Sequence, residues 1–241
     1  MTTAALALVP VGLLNLYALI LIVVRPRAFG VTLYRPMVLN LGLSIVPVAV
    51  AVLTAVGIIA LTPAIEQLRA EAASATFWVL LGVGTVTWVL FFPNATYLIT
   101  ELNFSHRRSD SPVPLWFDIV QTLSLTLSGI ANAIVSLAVM QTLFVLLIVD
   151  PGASLLAPWS SWVFAAIVIV LGAWGVYLGR VLRFNSWDVR HPSDFVRKLV
   201  SHFREHGKLA TAVGFTSLHA GLIALLYAPI YVLVYAALIG L

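Results

Sequence analysis

Cysteine is absent from all 241 residues. Disulfides, thiolate nucleophiles and cysteine-ligated clusters are excluded with it. Charge is nearly absent as well. Asp, Glu, Lys and Arg make up 9% of the chain, whereas soluble domains carry about 25%. Lysine occurs only as Lys198 and Lys208, both outside the apolar runs, so a Schiff-base lysine within a membrane span is ruled out. No Gly-Lys-Ser/Thr phosphate loop and no His-Glu-x-x-His zinc motif is present. Gly82-Val83-Gly84 lacks the third glycine of a dinucleotide loop. A haem held by two histidines lacks its second ligand at membrane depth. No cofactor is expected.

What the chain has is apolar length. It is 61% hydrophobic with a mean hydropathy of +1.06, and several runs exceed the ~18 residues that mark a membrane helix. Six spans are predicted, over residues 4–24, 37–61, 75–98, 115–148, 161–182 and 209–238. The stretch before the first span carries no Lys or Arg, so that span reads as retained rather than cleaved as a signal.

The basic residues sort by side. Arg25, Arg27 and Arg35 fall in the first loop, and Arg107 and Arg108 in the third. Arg180, Arg183, Arg190, Arg197, Lys198, Arg204 and Lys208 lie in or beside the fifth, and Arg69 alone falls on the opposite side. Positive residues stay cytoplasmic. The sorting therefore predicts a multi-pass protein of the cell membrane with both termini outside. It also reads the net charge of +4 as topology and not as affinity for nucleic acid. Trp116 and Trp187 near one boundary, and Trp78, Trp159 and Trp162 near the other, form the aromatic belts of a spanning bundle.

From Ser193 to Lys208, Phe195, Leu199 and Phe203 recur every four residues, with Val196 and Val200 beside them and charges on the other face. This predicts an amphipathic helix in the interface, its basic side toward lipid phosphates. The fold class is thus an all-α, polytopic helical membrane protein: six transmembrane helices plus one interfacial helix, in a single domain over residues 1–241.

Polar residues inside such a bundle mark either packing contacts or a site. At ~100° per residue, Asp118, Gln121, Thr122, Ser128, Gly129, Asn132 and Ser136 share one face of the fourth span. Topology brings three span ends to one depth: the third with Asn94, Tyr97 and Glu101, the fourth with Asp118, the fifth with Arg180, Arg183, Asn185 and Asp188. Charges at this depth need partners, so Asp118 or Asp188 is expected to pair with Arg180 or Arg183. Pro93 removes a backbone donor and is expected to break the third span near Asn94. His219 is the one histidine within a span and is expected to find a polar partner, plausibly on the fourth span. The same cluster reads equally as a ligand site or as a latch holding helix ends.

Three motifs in order carry a resemblance: Phe92-Pro93-Asn94-Ala95 with Tyr97 and Glu101-Leu102, Pro114-Leu115-Trp116-Phe117-Asp118, and residues 177–188, which read Tyr-Leu-Gly-Arg-Val-Leu-Arg-Phe-Asn-Ser-Trp-Asp. Over about residues 75–190 the chain resembles the prokaryotic membrane-protein family catalogued as domain of unknown function 1361. Thr96 and Glu101 stand where that family carries proline and aspartate. The resemblance implies no activity. It implies that the family's shared residues are the same inner-face cluster.

Three classes of function fit the residues: a small transporter or ligand-binding permease with its polar site at the cytoplasmic ends of spans three to five, an accessory or assembly subunit, and a membrane-embedded enzyme acting on lipid headgroups. The partners implied are membrane lipids and a small polar ligand or cation. A protein partner or a second copy of the chain stays open.

Overall fold

A computed structural model describes residues 2–102, 112–149, 156–182 and 192–240. Seven α-helices appear, and no strand among the described residues. They are α1 (Thr2–Phe29), α2 (Arg35–Ile65), α3 (Ala70–Tyr97), α4 (Leu115–Phe144), α5 (Trp159–Val181), α6 (Pro192–Arg204) and α7 (Lys208–Leu238). All but α6 are long and apolar enough to cross a membrane. The chain is a multi-pass helical membrane protein with one short amphipathic helix. In hydrocarbon every backbone polar group must be satisfied within the chain, which is why the apolar runs fold as unbroken helices.

Helix ends follow local chemistry. Pro36 sits in the first turn of α2, where its missing N–H is no loss. Gly30 ends α1 at φ 65°, its N–H bonded to the Pro26 carbonyl at 3.0 Å. Gly207 makes the turn into α7 at φ 79°. Both need the left-handed region that glycine enters without penalty.

Pro93 does not break the third span. The α-helix runs through it to Tyr97 and then tightens into a 3₁₀ turn, Leu98–Glu101. A single lost donor is tolerated in a membrane helix when neighbours re-satisfy the backbone. Past the proline, the Thr96 hydroxyl donates to the Pro93 carbonyl at 3.1 Å, and the Thr126 hydroxyl of α4 donates to the Leu98 carbonyl at 3.1 Å, which hold the last turns of α3 and their 3₁₀ extension.

The chain forms two compact units, Met1–Leu143 and Phe144–Leu241. In the first, α2 and α3 make a tight hairpin. A Cβ on Gly84 would stand 2.5 Å from Thr54 Oγ1, so any larger residue would force Thr54 to shift. Half of the most apolar stretch of α4 is buried, against 17% in each of α1, α2 and α3. It is the most buried helix of the first unit, and its buried side is the polar face read from the sequence. Gly129 seats α4 against the end of α3: a Cβ there would lie 2.5 Å from the Ala95 carbonyl oxygen.

In the second unit α5 and α7 run antiparallel. Tyr177 meets Phe215 at 5.6 Å and Trp162 meets Tyr231 at 5.5 Å, two contacts that fix one register along the pair. Gly172, Ala165 and Ala173 are buried on α5, and Ala212, Ala220 and Ile223 on α7. Small residues at a helix contact let the backbones close.

Candidate functional site

Three layers stack along α1, α2 and α4 in the first unit. The outermost lies where α1 ends and α2 begins. Arg25, in the last turns of α1, donates through Nε at 3.2 Å and Nη2 at 3.1 Å to Asp118 Oδ1. One turn beyond Arg25, Phe29 packs edge-on against Phe117 at 4.9 Å. That contact draws the end of α1 onto the start of α4 and places the guanidinium over the carboxylate. The Asp118 side chain is 11% exposed, and a buried carboxylate needs such donors.

Beside this pair, Asn40 of α2 donates to Glu101 Oε1 at 2.9 Å. Gln121 lies between the two pairs. It is one turn along α4 from Asp118, and its Nε2 reaches Met37 Sδ at 3.4 Å. Met37 in turn lies one turn along α2 from Asn40. Gln121 is 3% exposed, and its carbonyl Oε1 is buried with no hydrogen-bond partner among the described residues. A buried amide oxygen without a donor forgoes about 1–3 kcal/mol.

The middle layer is apolar. Ala18, Ile22, Leu41, Leu98 and Leu125 form a buried cluster, with Met37 and Val38 packed against it. Beyond it is a closed polar clasp. Asn15 Nδ2 donates to Asn132 Oδ1 at 2.9 Å, and Asn132 Nδ2 donates back to Asn15 Oδ1 at 3.0 Å. Asn132 also donates to Ser44 Oγ at 3.0 Å, Asn15 to the Val11 carbonyl at 2.8 Å, and Ser44 to the Leu41 carbonyl at 2.7 Å. At ~1.5 Å per residue, Asn132 lies roughly 21 Å along α4 from Asp118, at membrane depth.

The predicted site residues divide accordingly. The structure brings Asp118, Gln121 and Glu101 to the Arg25 end of the first unit. Asn94 and Tyr97 are half-buried at the end of α3 and make no side-chain hydrogen bond to a described residue. Asn132 belongs to the clasp. Arg180 is half-buried in the last turn of α5, in the second unit. Arg183, Asn185 and Asp188 lie outside the described residues. The arginine seen on Asp118 is Arg25, a residue that charge sorting had placed in a loop.

Four other α4 hydroxyls serve their own helix. Thr122, Ser124, Ser128 and Ser136 donate to the carbonyls of Asp118, Val120, Leu125 and Ala133. His219 does the same. Its Nδ1 lies 2.9 Å from the Phe215 carbonyl, and its ring stacks on Phe215 at 3.8 Å. The partner expected on the fourth span is replaced by a carbonyl one turn back, the nearest acceptor to any helical histidine. Among the described residues no three His, Asp or Glu side chains gather as a metal site.

The second unit holds a cluster that sequence reasoning missed. The Tyr177 hydroxyl meets His202 Nε2 at 2.8 Å, and Phe203 stacks on Trp174 at 5.5 Å and 14°. These contacts dock α6 against α5.

No curated protein and no solved structure matches the chain. A family model does match, over residues 39–224, and its description is a protein of unknown function, DUF1361. That match extends beyond both ends of the stretch carrying the three motifs, from the first turns of α2 to the middle of α7, so the chain belongs to the DUF1361 family.

Proposed function

We propose that this protein is a small permease or ligand-binding membrane protein whose polar solute is held at the Arg25 end of α1, α2 and α4, on the cytoplasmic side. The observation that carries the reading is the Gln121 carbonyl, buried without a donor between the Arg25–Asp118 and Asn40–Glu101 pairs. The fitting ligand is a small solute with an N–H or O–H donor for that oxygen, and Asn94 and Tyr97 supply further polar groups at the end of α3. The apolar layer of Ile22, Leu41, Leu98 and Leu125 is then the barrier the solute must pass.

A thermal-shift screen of the detergent-solubilised protein against small amines, amides and polyols tests this. At least one solute should raise the melting temperature, and Gln121→Leu should abolish that shift while leaving the unliganded protein folded. No stabilising solute, or a shift that survives Gln121→Leu, overturns the reading.

A second reading, an accessory or assembly subunit, is favoured by the clasp. Asn15, Ser44 and Asn132 satisfy one another, which is how a polar group behaves when its role is to join helices.

A further inference from the structure

Helix α6 lies between two spanning helices. Its two ends are tied to spans: α5 ends at Val181 before it, and α7 begins at Lys208 after it. Its anchors, Trp174 and Tyr177, lie four to seven residues inside the end of α5, which is ~6–10 Å along the axis. The helix is therefore held beside the end of α5, where a helix following a membrane span reaches the interface.

Docking engages only one side. Phe203 and His202 face Trp174 and Tyr177, and Leu199 is half-buried. The adjoining flank of the same apolar stripe exposes Val196 at 54% and Val200 at 43%, one turn apart. The sequence grouped these valines with the apolar face, yet the protein leaves them uncovered. Around them stand Arg197, its side chain 80% exposed, and Arg204. Charge over residues 192–208 is basic: Arg197, Lys198, Arg204 and Lys208 against Asp194 and Glu205. Both acids are engaged on the same segment, Asp194 with Arg197 at 2.8 Å and Glu205 with Lys208 at 3.7 Å.

We propose that the exposed flank of α6 is a docking site for anionic phospholipid, with Val196 and Val200 in the acyl boundary and Arg197 and Arg204 on headgroup phosphates. An exposed apolar pair flanked by guanidiniums matches the two chemistries that a phospholipid presents side by side. The inference does not depend on the permease reading, because its residues lie on a different helix and in a different unit from Gln121.

The full-length protein in nanodiscs of phosphatidylcholine with increasing phosphatidylglycerol tests it. Native mass spectrometry counts retained lipids, and hydrogen exchange follows the α6 amides. Phosphatidylglycerol should be retained preferentially, and R197Q and R204Q should each weaken that preference roughly fivefold. Added inorganic phosphate should not compete, since the valines require an acyl boundary. V196S/V200S should raise exchange across α6 while α5 and α7 stay protected, which separates lost docking from lost folding. Equal retention of the two lipids, a preference unchanged in R197Q/R204Q, competition by free phosphate, or α6 exchange unchanged by V196S/V200S overturns the proposal.

Discussion

Asn15 and Asn132, 117 residues apart in sequence, exchange hydrogen bonds in both directions at 2.9 and 3.0 Å. Each amide is left with a second donor, and each finds an acceptor, Asn15 at Val11 and Asn132 at Ser44. Asn132→Leu breaks this arrangement and strands the Asn15 carbonyl. It should lower stability by about 1–2 kcal/mol, read as a lower melting temperature in detergent. The double variant Asn15→Leu/Asn132→Leu removes both amides and should cost less than the sum of the single changes. Strict additivity would mean that the two residues do not act as a pair.

Gly129 faces a backbone carbonyl, which cannot swing aside as a side chain can. Gly129→Ala should therefore destabilise by about 1–3 kcal/mol and also strain the Thr126–Leu98 hydrogen bond beside it. Gly82 has open space where its Cβ would be, so Gly82→Ala is the matched control and should be neutral or slightly stabilising. Equal effects at the two positions would contradict the close seat of α4 on α3.

Arg25→Gln removes two charge-assisted hydrogen bonds from Asp118. A loss of about 1.5–3 kcal/mol is expected, toward the lower end because Arg25 is partly exposed. Arg25→Lys should recover only part of it, since a single ammonium replaces a fork whose Nε and Nη2 share one oxygen. Full recovery by lysine would mean that charge alone matters there.

The absence of cysteine makes every introduced thiol unique. If both termini lie outside, as the charge sorting predicts, Leu238→Cys should react with a membrane-impermeant maleimide added to intact cells, and Ser201→Cys should react only after lysis. The reverse pattern would invert the proposed orientation.

The architecture was legible where periodicity and charge report on it. Every residue of the polar face read on the fourth span is buried, because one amphipathic stripe at ~100° per residue needs no knowledge of neighbours. Partner choice was not legible. Arg25, Arg27, Arg35, Arg180 and Arg183 sort to one depth, and sorting by side cannot say which of them meets Asp118. The Phe29–Phe117 contact brings Arg25 to Asp118, and nothing local in either segment announces it. Asn15 left a fainter signal: it is the only amide or charged side chain between Thr3 and Arg25, and a lone polar group in a span implies a partner. Asn40 and Ser44 were passed over for want of a periodic neighbour. His219 misled in the other direction, since a helical histidine can satisfy itself on its own backbone.

The clasp also has a bearing on how the chain enters the membrane. Synthesis proceeds from α1 onward, so Asn15 and Ser44 reach the bilayer before Asn132 is made. An α4 inserted alone would present Asp118, Gln121 and Asn132 to lipid, with charge at the helix centre costing about 2.5–3.5 kcal/mol and less toward the ends. Arriving after α1 and α2, it meets an amide, a hydroxyl and a guanidinium already waiting at matching depths. The order of genes' codons thus becomes an order of assembly, in which the first two helices act as the receptor for the fourth.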